Sequence, residues 1–225
     1  MTLSQFQHSN LTEYESKQVL REHDIPTVEE DRAESPEEAQ AIAEQIGAPV
    51  IMKIDSRDIH HKTEAGGVQR VERVDDVADA YKDMIETVKK HSPDATIEGI
   101  LVEEVLDGNE FIIGVNTDPQ FGKVLMFGLG GIYVEVFRDV SFRTIPVTEY
   151  DIRTMLDDIE AKTLLDGVRG QEPADRDRLT EILQQVSSMV DSNPRIRELD
   201  INPLFINGSE IKAADALITL GDTDE

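Results

Sequence analysis

Up to His91 the apolar residues of this chain recur mainly at helical spacing, and beyond Ser92-Pro93 they come in the short runs typical of strands. Thr12-Glu13-Tyr14-Glu15 reads as a capping box, and Tyr14, Val19 and Leu20 give a short first helix that ends before Ile25-Pro26. Ser35-Pro36-Glu37-Glu38 is a second such start, followed by the stripe Ala39, Ile42, Ala43 and Ile46 and a stop at Gly47. A strand through Lys53, a polar loop, a short strand over 68–71 and a helix over 76–91 complete a compact α+β lobe. The runs 100–105, 110–115 and 124–127, separated by turns at Asp107-Gly108 and Asp118-Pro119, predict an antiparallel meander. Gly128-Leu129-Gly130-Gly131 breaks it, helices follow over 149–159 and 175–191, and a last hairpin pairs 196–206 with 210–217 around Asn207-Gly208. The stripe Leu179, Ile182, Leu183, Val186, Met189 and Val190 is read as core packing. The fold class is α+β (α/β), one domain over 1–225 in two lobes, about 20–95 and 96–220.

Charge narrows the partners. Lys and Arg number 22 against 47 Asp and Glu, a formal net charge of -25 spread through the 225 residues. DNA, RNA and anionic membrane surfaces are therefore poor partners. Arginine outnumbers lysine and acids crowd the predicted helix faces, a balance that points to a halophilic archaeon, where molar salt shortens the Debye length to about 3 Å. The competing view is a merely acidic protein made soluble by its charge. There is no cysteine, which removes disulfides, thiol nucleophiles and thiolate metal sites. No apolar run of about 18 residues exists and the first residues lack the pattern of a signal peptide, so a cytoplasmic protein is expected.

Candidate chemistry begins in the stretch from Lys53 to Val68. Pro49-Val50-Ile51-Met52 is β-favouring, so Lys53 should emerge at a strand end; the loop beyond carries His60, His61, Lys62 and Thr63, and Gly66-Gly67 leaves amides uncovered for an anion. It is the composition of a phosphate-handling loop, and also of an ordinary basic turn. In the last hairpin Asp200 and Asn202 share a strand face, and a turn centred on Asn207-Gly208 sets Asp215 opposite Asp200. Facing carboxylates repel unless a cation lies between them, and Mg²⁺ with phosphate oxygens is the natural one. A solvent-exposed hairpin end is the alternative. Glu103-Glu104 and Glu110 border a strand connection where carboxylates would accept from ribose hydroxyls and the backbone at Glu104-Val105 would meet an adenine edge. Arg138 and Arg143 are either planar forks for phosphate or partners of nearby acids.

Together the segments KIDSRDIHHKTEAGGV, DPQFGKVLMFGLGGIYVEVFRDVSFR, LLDGVRG and ELDINPL, followed by Asp215, resemble the ATP-grasp subunit of ADP-forming acyl-CoA synthetases, particularly archaeal acetyl-CoA synthetase. The resemblance runs from about Leu11 to Leu220. It implies two ATP-grasp lobes clasping Mg-ATP or Mg-ADP, with Lys53 on phosphate, Lys62 and Thr63 beside it, and Glu103, Glu104, Val105 and Glu110 around the adenosine. It implies Asn202 and Asp215 as Mg²⁺ ligands, with Asp200 and Arg143 near the phosphoryl path. His61 matches a histidine that itself carries a phosphoryl group, and His60 beside it is the alternative acceptor. In that family a CoA-binding partner makes an acyl phosphate, transfers its phosphoryl group to a histidine, and delivers it on a mobile segment for transfer to ADP.

Nothing in the chain resembles the CoA-binding domain, so the resemblance implies half of an enzyme working with a CoA-binding alpha subunit. Met1 and the short acidic end suit a free subunit, and a domain cut from a fused single chain would look similar. Two other functions compete: a non-catalytic nucleotide-sensing module, and an autonomous ATP-grasp ligase that activates a carboxylate without CoA. The acyl group and the choice between ADP and GDP are not written in these residues.

Overall fold

The computed structural model describes residues 3, 6, 8–59, 61–131, 139–168 and 172–221; His60 and Arg138 lie outside them. The chain divides into two compact units, one of residues 12–14 and 28–106, the other of residues 1–11, 15–27 and 107–225. Helix α1 (Glu13–Glu22) starts in the first of these and continues in the second. No helix among the described residues is long and apolar enough to cross a membrane.

The smaller unit contains β1 (Glu30–Ala33), α2 (Pro36–Ile46), β2 (Val50–Asp55), β3 (Val68–Val71), α3 (Val77–His91) and β4 (Gly99–Glu104). Its strands form one antiparallel sheet in the order β1-β4-β2-β3. Alternation along a strand sends Val50, Met52 and Ile54 of β2, with Ile100 and Val102 of β4, into a core shared with Ala39 and Ala43 of α2 and Val77, Met84 and Val88 of α3. Burying each larger side chain contributes about 1.5–3 kcal/mol. The same alternation commits the other face: Glu30 and Arg32 of β1, Leu101 and Glu103 of β4, and Ile51, Lys53 and Asp55 of β2 lie there. Helix α2 starts as its sequence indicates, with Ser35 Oγ accepting from the Glu38 N–H (3.2 Å) and Gly47 closing the helix at φ +95°. The Glu38 carboxylate accepts from the Glu34 N–H (2.8 Å), one residue before the partner of a full capping box.

The larger unit contains β5 (Asn109–Asp118), β6 (Gly122–Leu129), β7 (Val140–Thr144), α4 (Glu149–Asp158), α5 (Lys162–Leu165), α6 (Arg176–Ser192), β8 (Ile196–Asn207), β9 (Glu210–Ala213) and β10 (Leu217–Leu220). The antiparallel order is β10-β8-β5-β6-β7, with β9 also on β8. The apolar stripe of α6 is buried against one face of this sheet, as its spacing requires. In the same core Phe111 and Phe127 stack with centroids 5.3 Å apart. Helix α4 opens with a reciprocal box, Thr148 with Asp151, and Lys123 Nζ donates to the Val190 (2.6 Å) and Asn193 (3.1 Å) carbonyls at the end of α6.

Three expectations need correction. The meander does not include the strand over 100–105: β4 pairs with β1 and β2 in the smaller sheet, and the two units part after Leu106 rather than at 95/96. A short connection to β5 suggested a hairpin, but both faces of β4 are buried, which marks a central strand. The last turn is centred on Gly208-Ser209, because Asn207 pairs with Glu210. That slides the register by two, so Asp200 faces Leu217, and Asp215 falls in the break between β9 and β10.

Candidate functional site

Lys53 is the third residue from the end of β2 on the charged face of the smaller sheet. Its Nζ lies 2.9 Å from Glu13 Oε1 and 2.9 Å from Glu103 Oε2. Glu103 sits diagonally across from it on β4, opposite Ile51, and Glu13 arrives from the first turn of α1. Both carboxylates are almost wholly buried, at 1% and 2% side-chain exposure. A further oxygen from Glu30 converges on the same point, so that Glu13, Glu30 and Glu103 could enclose a metal ion. The cation found there is the Lys53 ammonium. Asp55, two residues on, is buried and bonded by Arg32 Nη1 at 3.2 Å; burial pushes its carboxyl up despite the guanidinium.

From β2 the chain turns through the predicted loop. Ser56 Oγ donates to the Thr96 carbonyl (2.6 Å) and the Thr96 N–H donates to Asp58 Oδ2 (2.8 Å), pinning its start. Its far end closes where the Gly67 N–H donates to the Lys62 carbonyl (2.7 Å) and the Ile54 N–H to the Gly67 carbonyl (2.8 Å). A Cβ on Gly67 would stand 2.5 Å from Ile54 Cγ2, which is why this close return needs glycine. Between these anchors His61 and Thr63 are exposed. Lys62 folds back to an ion pair with Glu13 Oε2. Glu104 Oε1 accepts from the Glu29 N–H (2.7 Å) and the Glu104 N–H donates to the Glu29 carbonyl (2.9 Å), so both the side chain and the amide of Glu104 are engaged, and Val105 follows just past the end of β4.

In the larger unit one row across the sheet reads Leu217, Asp200, Gly114, Met126, Phe142. This row lies on the face away from the core and floors a cavity of about 710 Å³. Phe121 and Phe142 are 67% and 54% exposed around it. A bulge between Phe111 and Ile113 shifts the β5 register against β8, and inward residues on β8 change from Leu199 and Ile201 to Leu204 and Ile206. Asn202 sits at this change, where a bulge re-aims side chains. Its Oδ1 accepts from the Gly131 N–H at 3.0 Å. Gly131 has φ +64°, and a Cβ there would strike the Glu110 carboxylate, so Glu110, Gly131 and Asn202 form one wall. Arg143 is committed elsewhere: Nη2 donates to Asp158 Oδ2 (2.6 Å) and Thr154 Oγ1 (3.1 Å), which ties β7 to α4.

Asp200 reaches water, yet the surrounding cavity walls and the negative charge of Asp215 raise its carboxyl to about 6, burial being the larger cause. Asn202, Asp215 and Asp200 supply only hard oxygen donors, and the mutual repulsion of the two carboxylates is what a divalent cation relieves, so the set fits Mg²⁺. Without metal, Asp215→Asn should lower the Asp200 midpoint from about 6 while leaving it above an ordinary aspartate, because burial remains. Carboxyl NMR titration checks this; an unmoved midpoint would mean that the two charges do not interact. The sign for stability follows: the folded state holds the Asp200 proton more tightly, so this group's contribution is greatest at low pH and is lost as pH rises through about 6.

Two buried polar residues of α1 were missed in the sequence. Glu13 holds both lysines, and in the larger unit Lys17, fully buried, donates to the Ala214 carbonyl (3.2 Å) beside Asp215. The signal existed: Glu13, Ser16, Lys17 and Leu20 fall at i, i+3, i+4 and i+7, one buried stripe with polar members.

The sequence profile of the ATP-grasp domain matches residues 2–220. The chain belongs to the ATP-grasp family. Among its relatives, the acetate–CoA ligase [ADP-forming] II subunit beta of Pyrococcus furiosus is 43% identical over 93% of this chain and 91% of its own length. Acetyl-coenzyme A synthetase 1 of Ca. Korarchaeum cryptofilum, solved with coenzyme A, Ca-AMPCP and HgCl+, superposes with a TM-score of 0.92 at 41% identity, covering 97% of this ATP-grasp chain and 96% of that one. A second structure of that enzyme holds coenzyme A and Mg-AMPPCP with its phosphohistidine segment pointing towards the nucleotide binding site; it superposes at a TM-score of 0.83 and 36% identity over 95% and 94% of the two chains.

Proposed function

We propose that this ATP-grasp chain is the nucleotide-binding subunit of an ADP-forming acyl-CoA synthetase, acting with a CoA-binding partner to convert acyl-CoA, ADP and phosphate into acid, CoA and ATP. The observation that carries the proposal is the loop after β2, where an exposed histidine, His61, directly precedes one of two lysines held by a single buried carboxylate. A nucleophile and one ammonium group on an anchored loop, with a second ammonium on the strand that leads into it, suit phosphoryl relay better than storage or sensing of a nucleotide.

In this account His61 takes the phosphoryl group from the partner's phosphohistidine and passes it to ADP. The P–N bond to the imidazole breaks as a β-phosphate oxygen of ADP forms the new P–O bond. A proton on the other ring nitrogen lets neutral imidazole leave. Lys53 and Lys62 hold phosphate oxygens and offset their charge. The main chain at Val105 meets the adenine edge, and Glu110 accepts from the ribose. Asn202, Asp215 and Asp200 would hold Mg²⁺, which when bound neutralises charge between the nucleotide phosphates. Arg143 would have to leave Asp158 to reach a phosphate.

The test is reconstitution with the CoA-binding partner, following ATP formation from acetyl-CoA, ADP and phosphate. Turnover that requires both chains supports the proposal; turnover of a carboxylate by this chain alone would favour the autonomous ligase. We also infer from the net charge of -25 adaptation to high salt. Denaturation midpoints should then rise between 0.1 and 2 M KCl as self-repulsion is screened, and a flat or falling trend would point to a merely acidic protein.

A further inference from the structure

The two phosphate-binding lysines come from different places, Lys53 from a strand and Lys62 from a loop. What joins them is a residue of neither, Glu13 in the first turn of α1. Glu13 Oε1 takes Lys53 Nζ at 2.9 Å and Glu13 Oε2 takes Lys62 Nζ, while Glu103 Oε2 holds Lys53 from a second side at 2.9 Å. We propose that Glu13 is a positioning residue of the nucleotide site: its buried carboxylate bridges Lys53 and Lys62 and presets them as one phosphate-binding pair. The inference rests on the nucleotide-binding reading above.

Two physical points carry it. A lysine side chain has four rotatable carbon links, and a ligand that must immobilise it loses affinity in doing so; a carboxylate that fixes it beforehand moves that cost into folding. The bridge also fixes the two ammonium groups relative to each other. Each of the two carboxylate oxygens takes one ammonium, Oε1 that of Lys53 and Oε2 that of Lys62, so the bridge sets the spacing of the pair as well as the rotamer of each lysine. The Lys–Glu pair of protein kinases shows the principle in another fold, where a carboxylate must hold the phosphate-contacting lysine for transfer to proceed. Charge alone would predict the reverse. Glu13, Glu30 and Glu103 outnumber the two lysines, so removing a carboxylate should strengthen anion binding if positioning did not matter.

The experiment is equilibrium titration of the full chain with Mg-ADP and, separately, with adenosine, for the wild type and for Glu13→Gln, Glu13→Asp and Lys62→Met, each checked for folding by circular dichroism. Positioning predicts that Glu13→Gln and Glu13→Asp both weaken Mg-ADP on the order of tenfold, because the shorter carboxylate keeps the charge but cannot span both lysines, while adenosine binds as before. It also predicts that Lys62→Met combined with Glu13→Asp costs less than the sum of the two. Mg-ADP binding in folded Glu13→Asp equal to wild type, or tightened in Glu13→Gln, would overturn the inference. Equal losses for ADP and adenosine would reduce Glu13 to a structural residue and overturn it too. If Glu13→Gln does not fold, Glu13→Asp and the double variant decide. Failure of the wild type to bind either ligand would instead remove the nucleotide reading, and the inference with it.

Discussion

Replacing His61 by alanine should abolish ATP formation by the assembled synthetase, with a fall of at least about a thousandfold, while Mg-ADP binding stays within about twofold of wild type. The side chain is exposed on an anchored loop, so the fold should lose no more than about 0.5 kcal/mol. Turnover of the full complex with the variant, alongside titration of Mg-ADP, separates the two effects. The combination is what distinguishes a relay from a binding residue, since loss of a contact to the nucleotide would show in both measurements. Full turnover by the variant would remove the relay from the account, whether or not the nucleotide still binds.

Lys53→Met should destabilise the chain itself by about 3–5 kcal/mol in the absence of any ligand. The Lys53 side chain is only 11% exposed, and its ammonium faces the Glu13 and Glu103 side chains, which are exposed by 1% and 2%. Glu13 keeps its ion pair with Lys62, whereas Glu103 loses its 2.9 Å ion pair with Lys53. Denaturant titration measures the loss, and a change under 1 kcal/mol would mean that the buried carboxylates are hydrated or protonated rather than held by this lysine. The expectation has a practical consequence for function. Loss of ADP binding in Lys53→Ala or Lys53→Met speaks for a phosphate contact only when the variant is shown to be folded.

How far the sequence led differs between elements. Helix α2 was legible because local rules specify it at both ends, Ser35 and Pro36 at its start and Gly47 at its stop. Lys53 was legible as well, because a β-favouring run leads straight into it. Strand β1 was not, since its residues, Glu-Asp-Arg-Ala, carry a pattern dictated by a charged sheet face rather than by a core. Nor could periodicity assign β4 to the smaller sheet, because strand pairing over long separations leaves no local mark. The arithmetic placing Asp215 opposite Asp200 depended on which two residues make the turn, and a two-residue slip keeps every side chain on its expected face while changing its partner. Glu13 escaped notice for a different reason: in a capping motif an acid is expected to serve the helix, and this one serves a lysine forty residues away.

Glu103 shows the same lesson in the site. A carboxylate beside a strand connection suggested a ribose, and the partner the structure gives its Oε2 is the Lys53 ammonium at 2.9 Å. Asp200 moved the other way, from an acid at a hairpin end to a carboxyl raised to about 6 in a partly apolar cavity on the open face of the larger sheet.

The relay proposed for His61 carries the phosphoryl group through this chain on its way to ADP. It is tested most directly by trapping that group: the complex is incubated with acetyl-CoA and labelled phosphate, without nucleotide, quenched in base, and mapped by mass spectrometry. An acid-labile phosphate should appear on His61 and be lost on adding Mg-ADP as labelled ATP appears. Label confined to the partner subunit, with ATP still formed at full rate, would contradict it.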